Sequence, residues 1–159
     1  MMRRRPTAEE LLVKMAGLCS RSEQCEGDIL TKLLRAGLTR GAAGDVINEL
    51  KERGFIDEAR YARAFVRDKV RLAGWGRRKI RMALAAKRVD STAIAEALAE
   101  IDPEEYLRAA TAVAEAKARS LDLRLREDVA KLYRSLAARG YEGETVAAAV
   151  RALRRKGGG

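Results

Sequence analysis

Eleven lysines and arginines stand between Arg60 and Arg88, at positions 60, 63, 67, 69, 71, 77, 78, 79, 81, 87 and 88, and Asp68 is the one acid among them. This stretch alone carries a net charge of +10. That is the formal net charge of the whole 159-residue chain, so the bases and acids elsewhere cancel. The chemistry on offer is ionic recognition. A field of that sign and density, confined to one segment, favours a polyanion or an acidic protein face over a merely solvated surface.

The rest of the inventory argues against catalysis. The chain has no histidine, which removes the commonest general base and the usual triads. Neither a GxxxxGK[ST] nor a GxGxxG loop is present to hold phosphates. Gly41 and Gly44, in the run GAAGD, lie between predicted helices with no strand before them. The acid pairs Asp57-Glu58 and Glu104-Glu105 fall at predicted helix starts, where capping and the helix dipole account for them. Cys19 and Cys25 are the only cysteines. Two thiols without histidine do not make a zinc site, and both read as small buried or half-buried residues. No metal and no cofactor is expected.

Two helices must position the cations. Asp57 is a natural N-cap and Gly74 a natural stop, which predicts a helix between them. At about 100° per residue, Arg60, Arg63, Arg67 and Arg71 share a band of roughly 80°. Tyr61, Ala62, Phe65, Val66 and Leu72 fall on the opposite side and should face a core. A second helix begins at Gly76, presents Arg77, Arg78, Lys79 and Arg81, and buries Ile80, Ala83 and Leu84. Trp75 sits at the corner between glycines. It could stack on a nucleobase, but one aromatic is a poor platform, and packing at a helix corner is the preferred reading.

Across the chain, 47% apolar content with only 4% aromatics means burial by Leu, Ile, Val, Ala and Met. Two prolines and an Ala/Leu/Arg/Glu-rich composition predict an all-α protein. No 18-residue apolar run exists, and Glu9 and Glu10 interrupt the stretch after the basic start MMRRRP. A membrane span and a secretory signal are therefore not expected, and the cytoplasm is. Thr7-Ala-Glu-Glu10 and Ser20-Arg-Ser-Glu23 both have the form of capping boxes and predict helix starts. A third helix should carry Val46, Ile47 and Leu50 and close at Gly54.

The pattern then repeats. Leu33, Leu84 and Leu136 are 51 and 52 residues apart. Four positions later come Gly37, Arg88 and Gly140, each at a predicted helix end. Ala43, Ile94 and Val146 then fall in register, as do Ile47, Leu98 and Val150. Thr7, Asp57 and Asp102-Pro103 cap the opening helices. This predicts three tandem three-helix repeats, residues 1–54, 55–101 and 102–156, forming an elongated, curved array. The basic end Arg154-Arg155-Lys156 should fray, with 157–159 a disordered tail.

Glu52 to Leu84 (ERGFIDEARYARAFVRDKVRLAGWGRRKIRMAL) resembles the core signature of the RecX regulatory proteins. Cys19 to Leu38 (CSRSEQCEGDILTKLLRAGL) is similar to the first-repeat motif of the same family. Arg88 departs from the family, standing where glycine is more usual. The resemblance implies a non-enzymatic modulator of the RecA recombinase. Such a protein would bind RecA and RecA filaments on single-stranded DNA, limiting ATPase, strand exchange and filament growth. It implies a place in DNA repair, homologous recombination and the SOS response; nothing in the sequence suggests an obligate dimer, and a monomer is expected. The binding surface would be Arg60, Arg63, Arg67, Arg71, Trp75, Arg77, Arg78, Lys79 and Arg81, against RecA or DNA phosphate, duplex DNA included. A stand-alone helical DNA-binding module is the alternative, since tri-helical units with basic helices also suit a groove. A scaffold for another acidic partner is a third.

Overall fold

The computed structural model describes residues 4–157. Every regular element among them is helical: α1 Ala8–Arg21, α2 Glu26–Arg35, α3 Arg40–Glu52, α4 Glu58–Asp68, α5 Arg77–Ala86, α6 Ser91–Ala99, α7 Pro103–Ala118, α8 Arg126–Ala138 and α9 Gly143–Gly157. A π-turn, Lys69–Ala73, extends α4. The order is three successive three-helix repeats. Among the described residues no helix is long and apolar enough to cross a membrane.

Local chemistry sets the ends. Thr7, Thr39 and Asp102 each accept from the N–H three residues on, and Asp57 accepts from Arg60 N–H at 3.0 Å. The middle helix of each repeat ends in one recurring motif. The N–H of Leu38, Val89 and Tyr141 reaches back to the carbonyl of Leu33, Leu84 and Leu136 at 3.2, 3.1 and 3.3 Å. The residue just before is left-handed in all three, with φ of 104° at Gly37, 61° at Arg88 and 96° at Gly140. These are Schellman caps, and the leucine at the root of each is wholly buried.

Contacts divide the chain into two compact units, Met1–Ala64 with Leu84–Ala95, and Phe65–Ala83 with Glu96–Gly159. The boundaries fall within α4, α5 and α6, so the middle repeat contributes to both. In the first unit Leu11, Met15, Ile29, Leu33, Val46, Leu50 and Ile56 form the core. In the second, α7 packs on α8 and α9, burying Tyr106, Ala110, Leu132, Leu136, Tyr141 and Val150.

Three local expectations give way. Ser20 does not open a helix: α1 runs through it to Arg21, its hydroxyl donates to the Ala16 carbonyl, and α2 starts only after Cys25. The S-x-x-E pattern is local, and α1's apolar residues, which run on to Leu18 and Cys19, carry the helix through Ser20 before it ends at Arg21. Leu72 faces outward, 84% exposed, while Val70 is buried. The π-turn advances each residue by less than the α-helix's roughly 100°, which rotates Leu72 off the core side. Finally, α9 continues through Arg154, Arg155 and Lys156 to Gly157. Cations suit a helix C-terminus, and Lys156 pairs with Glu115 at 3.0 Å. Gly158 and Gly159 lie outside the described residues.

The N-termini of α2 and α5 are set against the following repeat. In the first unit, the Glu26 backbone amide at the head of α2 favours the ionised Glu58 carboxyl. A Cβ on Gly27 would lie 2.6 Å from the Lys87 carbonyl oxygen. In the second unit, Gly76 N–H donates to the Arg139 carbonyl at 2.8 Å and Arg78 N–H to the Gly140 carbonyl at 3.0 Å. Both α2 and α5 thus set their N-termini against the C-terminal end of the next middle helix, positive end to negative end.

Candidate basic interface

The cations sort into two groups. In the first unit, the Arg60 guanidinium is spent on structure: it pairs with Glu23 and donates to the Gly54 carbonyl at 3.0 Å. Arg63 is half-buried and has no ion pair among the described residues.

In the second unit, Arg71 pairs with Glu105, and its hydrogen bond, then its charge, hold that carboxyl below the ordinary range. Arg77 is the most engaged. Its guanidinium lies 4.0 Å from the Tyr106 ring centre and 2.9 Å from Glu142, and its backbone N–H donates to the Tyr106 hydroxyl at 2.8 Å. The Tyr106 hydroxyl donates in turn to Glu142 Oε1. Burial alone would raise the Glu142 carboxyl, but the hydrogen bonds from Tyr106, its own backbone and Arg77 outweigh it and hold it low. The same burial pushes the Tyr106 phenol well up. This knot ties the start of α5 to α7 and α9.

Arg67, Arg78 and Arg81 are exposed and have no ion pair among the described residues. Lys79 is half-buried, its ammonium 4.4 Å from the centre of the Trp75 ring. Of the nine residues singled out from sequence, the fold therefore brings Trp75 and Lys79 together, leaves Arg63, Arg67, Arg78 and Arg81 unneutralised, and uses Arg60, Arg71 and Arg77 internally. Sequence reasoning missed Lys69 as a site residue. Its ammonium lies 4.5 Å from the Trp75 ring centre and 5.3 Å from that of Phe65, one helical turn before it. It also missed the acids Glu23, Glu105 and Glu142, whose pairing is long-range and leaves no local signal.

A family model described as the second three-helix domain of RecX matches residues 57–98, and one described as the third three-helix domain of RecX matches residues 104–150. Among curated proteins, the regulatory protein RecX of Vibrio parahaemolyticus is 32% identical over 133 residues, covering 84% of each chain. That of Xanthomonas citri is 35% identical over 137 residues, 85% of this chain and 82% of that one. The crystal structure of RecX from Lactobacillus salivarius superposes with a TM-score of 0.77 at 18% identity, over 92% of this chain and 96% of that one, a likeness of fold.

Proposed function

The chain belongs to the RecX family, and from that membership we propose that it is a non-enzymatic regulator of the RecA recombinase. It binds RecA and RecA filaments on single-stranded DNA and restrains ATP hydrolysis, strand exchange and filament growth, acting as a cytoplasmic monomer in DNA repair. The relatives are named regulatory proteins, which supports a role exerted through binding.

One observation carries the reading: Arg67, Arg78 and Arg81 remain exposed and unneutralised in a fold that neutralises Arg60, Arg71 and Arg77 with its own acids. Cations that serve no internal contact are free to meet phosphate or carboxylate, and guanidinium does so in bidentate fashion. The test is RecA's single-stranded-DNA-dependent ATPase rate against increasing amounts of this protein, at two salt concentrations. Inhibition is expected, and inhibition well below one molecule per RecA protomer would favour capping of filament ends over stoichiometric coating. No inhibition, with duplex binding intact, would overturn the reading in favour of a stand-alone DNA-binding module.

A further inference from the structure

Trp75 is neither buried at its corner nor bare. It is half-exposed, with the ammonium groups of Lys69 and Lys79 at 4.5 and 4.4 Å from its ring centre and the Phe65 ring edge-on at 6.4 Å. Lys69 comes from the π-turn and Lys79 from the first turn of α5, so both arms of the corner send a cation to one ring. The backbone beneath is pinned on both sides: Trp75 N–H donates to the Lys69 carbonyl at 2.9 Å and Gly76 N–H to the Arg139 carbonyl at 2.8 Å. Gly74 and Gly76 put no side chain beside the indole. No described group accepts the indole N–H. The backbone under the ring is thus fixed, neither sequence neighbour crowds the indole, and its half-exposed surface is shared by two ammonium groups and the edge-on Phe65 ring.

We propose that Trp75, Lys69 and Lys79 form a stacking subsite for one base of a single-stranded nucleic acid. The ammonium groups leave the ring for the flanking phosphates as the base takes their place. The exchange is favourable on general grounds. A partly exposed ammonium–ring contact is weak, whereas an ammonium–phosphate contact is charge-assisted and releases counterions. Base–aromatic stacking replaces what the ring gives up and tolerates any base. An acidic protein surface would use the lysines but leave the indole without a partner, which is why nucleic acid is favoured. The subsite deepens the regulatory reading by giving it a direct contact with the strand, and it rests on that reading only for its biological setting.

Trp75 is the only tryptophan of the chain, so its fluorescence reports this site alone. The experiment titrates the full chain at low salt with an oligothymidylate, with an abasic oligomer of equal length and charge, with duplex DNA and with polyglutamate. Strong quenching by oligothymidylate alone is expected, with roughly 10-fold tighter binding than the abasic oligomer. Trp75→Ala should remove that preference, and Trp75→Phe should keep part of it. Equal affinity and equal fluorescence response for the thymidylate and abasic oligomers would overturn stacking and leave a phosphate surface. A matching response to polyglutamate would overturn the choice of nucleic acid. The wild-type titration decides even if a variant fails to fold. Failure here with ATPase inhibition intact removes the subsite and leaves the regulatory reading standing.

Discussion

The backbone of Gly76 lies against that of Gly140 so closely that a Cβ built on Gly76 would come 2.3 Å from the Gly140 carbonyl carbon. A Cβ on Gly140 would in turn meet Lys79 N at 2.4 Å. The joint between the second and third repeats, in the second unit, is therefore made of main chain. Its two hydrogen bonds, Gly76 to Arg139 and Arg78 to Gly140, depend on the absence of side chains.

Gly76→Ala should consequently destabilise the protein by about 3 kcal/mol, because no flexible side chain can yield to the new methyl. Gly44→Ala is the control: Gly44 sits inside α3 with nothing within 4 Å of a built Cβ. It should stabilise by about 0.5–1 kcal/mol through helix propensity and a less flexible unfolded chain. Urea denaturation followed by circular dichroism measures both. A Gly76→Ala protein of wild-type stability would mean the joint is not as tight as described.

Arg88 occupies the left-handed position that glycine fills in the other two middle-helix caps, at φ 61°. Its side chain is exposed, with no ion pair among the described residues. Relief of the Cβ strain outweighs glycine's greater unfolded-state freedom, so Arg88→Gly should gain about 0.5–1 kcal/mol in the same experiment. A loss would show that Arg88 makes a contact worth more than its strain.

Glu58 should make stability depend on pH in an unusual direction. Burial, then the neighbouring Glu26, raises its carboxyl above the ordinary value, with Asp90 adding to the effect and Lys51 opposing it. One of its oxygens is buried without a hydrogen-bond partner. A folded-state pKa above the unfolded one means the ionised group weakens the fold at neutral pH. That weakening disappears as pH falls through the raised value towards the unfolded carboxylate range near 4.3. Glu58→Gln, which keeps the shape and removes the charge, should be more stable than wild type at pH 7, with the difference vanishing by about pH 4. Melting temperatures across that range would refute this if the difference grew on acidification.

Reversing charge at Arg67, Arg78 and Arg81 together should leave thermal stability within about 0.5 kcal/mol. If all three meet phosphate, it should reduce the salt slope of single-stranded DNA binding by about 2. Inhibition of RecA ATPase should fall in parallel. Arg77→Glu is the informative contrast. It breaks the knot with Tyr106 and Glu142 and should lower stability by more than about 2 kcal/mol, so its loss of activity would say nothing about binding. An unaltered salt slope in the triple variant would exclude those arginines from the interface.

The repeat was legible in the sequence because its determinants are local. A buried leucine, a left-handed residue four later and an apolar residue after that make one Schellman cap, and counting residues finds it three times. The N-caps at Thr7, Asp57 and Asp102 are legible for the same reason. What escaped depends on distance or on turn geometry. The π-turn has no pattern in its five residues, yet it carries Leu72 outward and brings Trp75 back to Lys69. The pairing of Arg60 with Glu23, Arg71 with Glu105 and Arg77 with Glu142 spans 37, 34 and 65 residues. Composition shows a basic stripe, and only the fold separates the cations that hold it together from those left over.

The main-chain joint also changes what the amides at the head of α5 can report. In a free-standing helix the first N–H groups have no partner and exchange with solvent water almost at once. Those of Gly76 and Arg78 are closed off by carbonyls of the next repeat. Their deuterium uptake therefore tracks the parting of two repeats rather than the fraying of one helix end. Two ordinary amides become a gauge of how often the second unit opens at that seam.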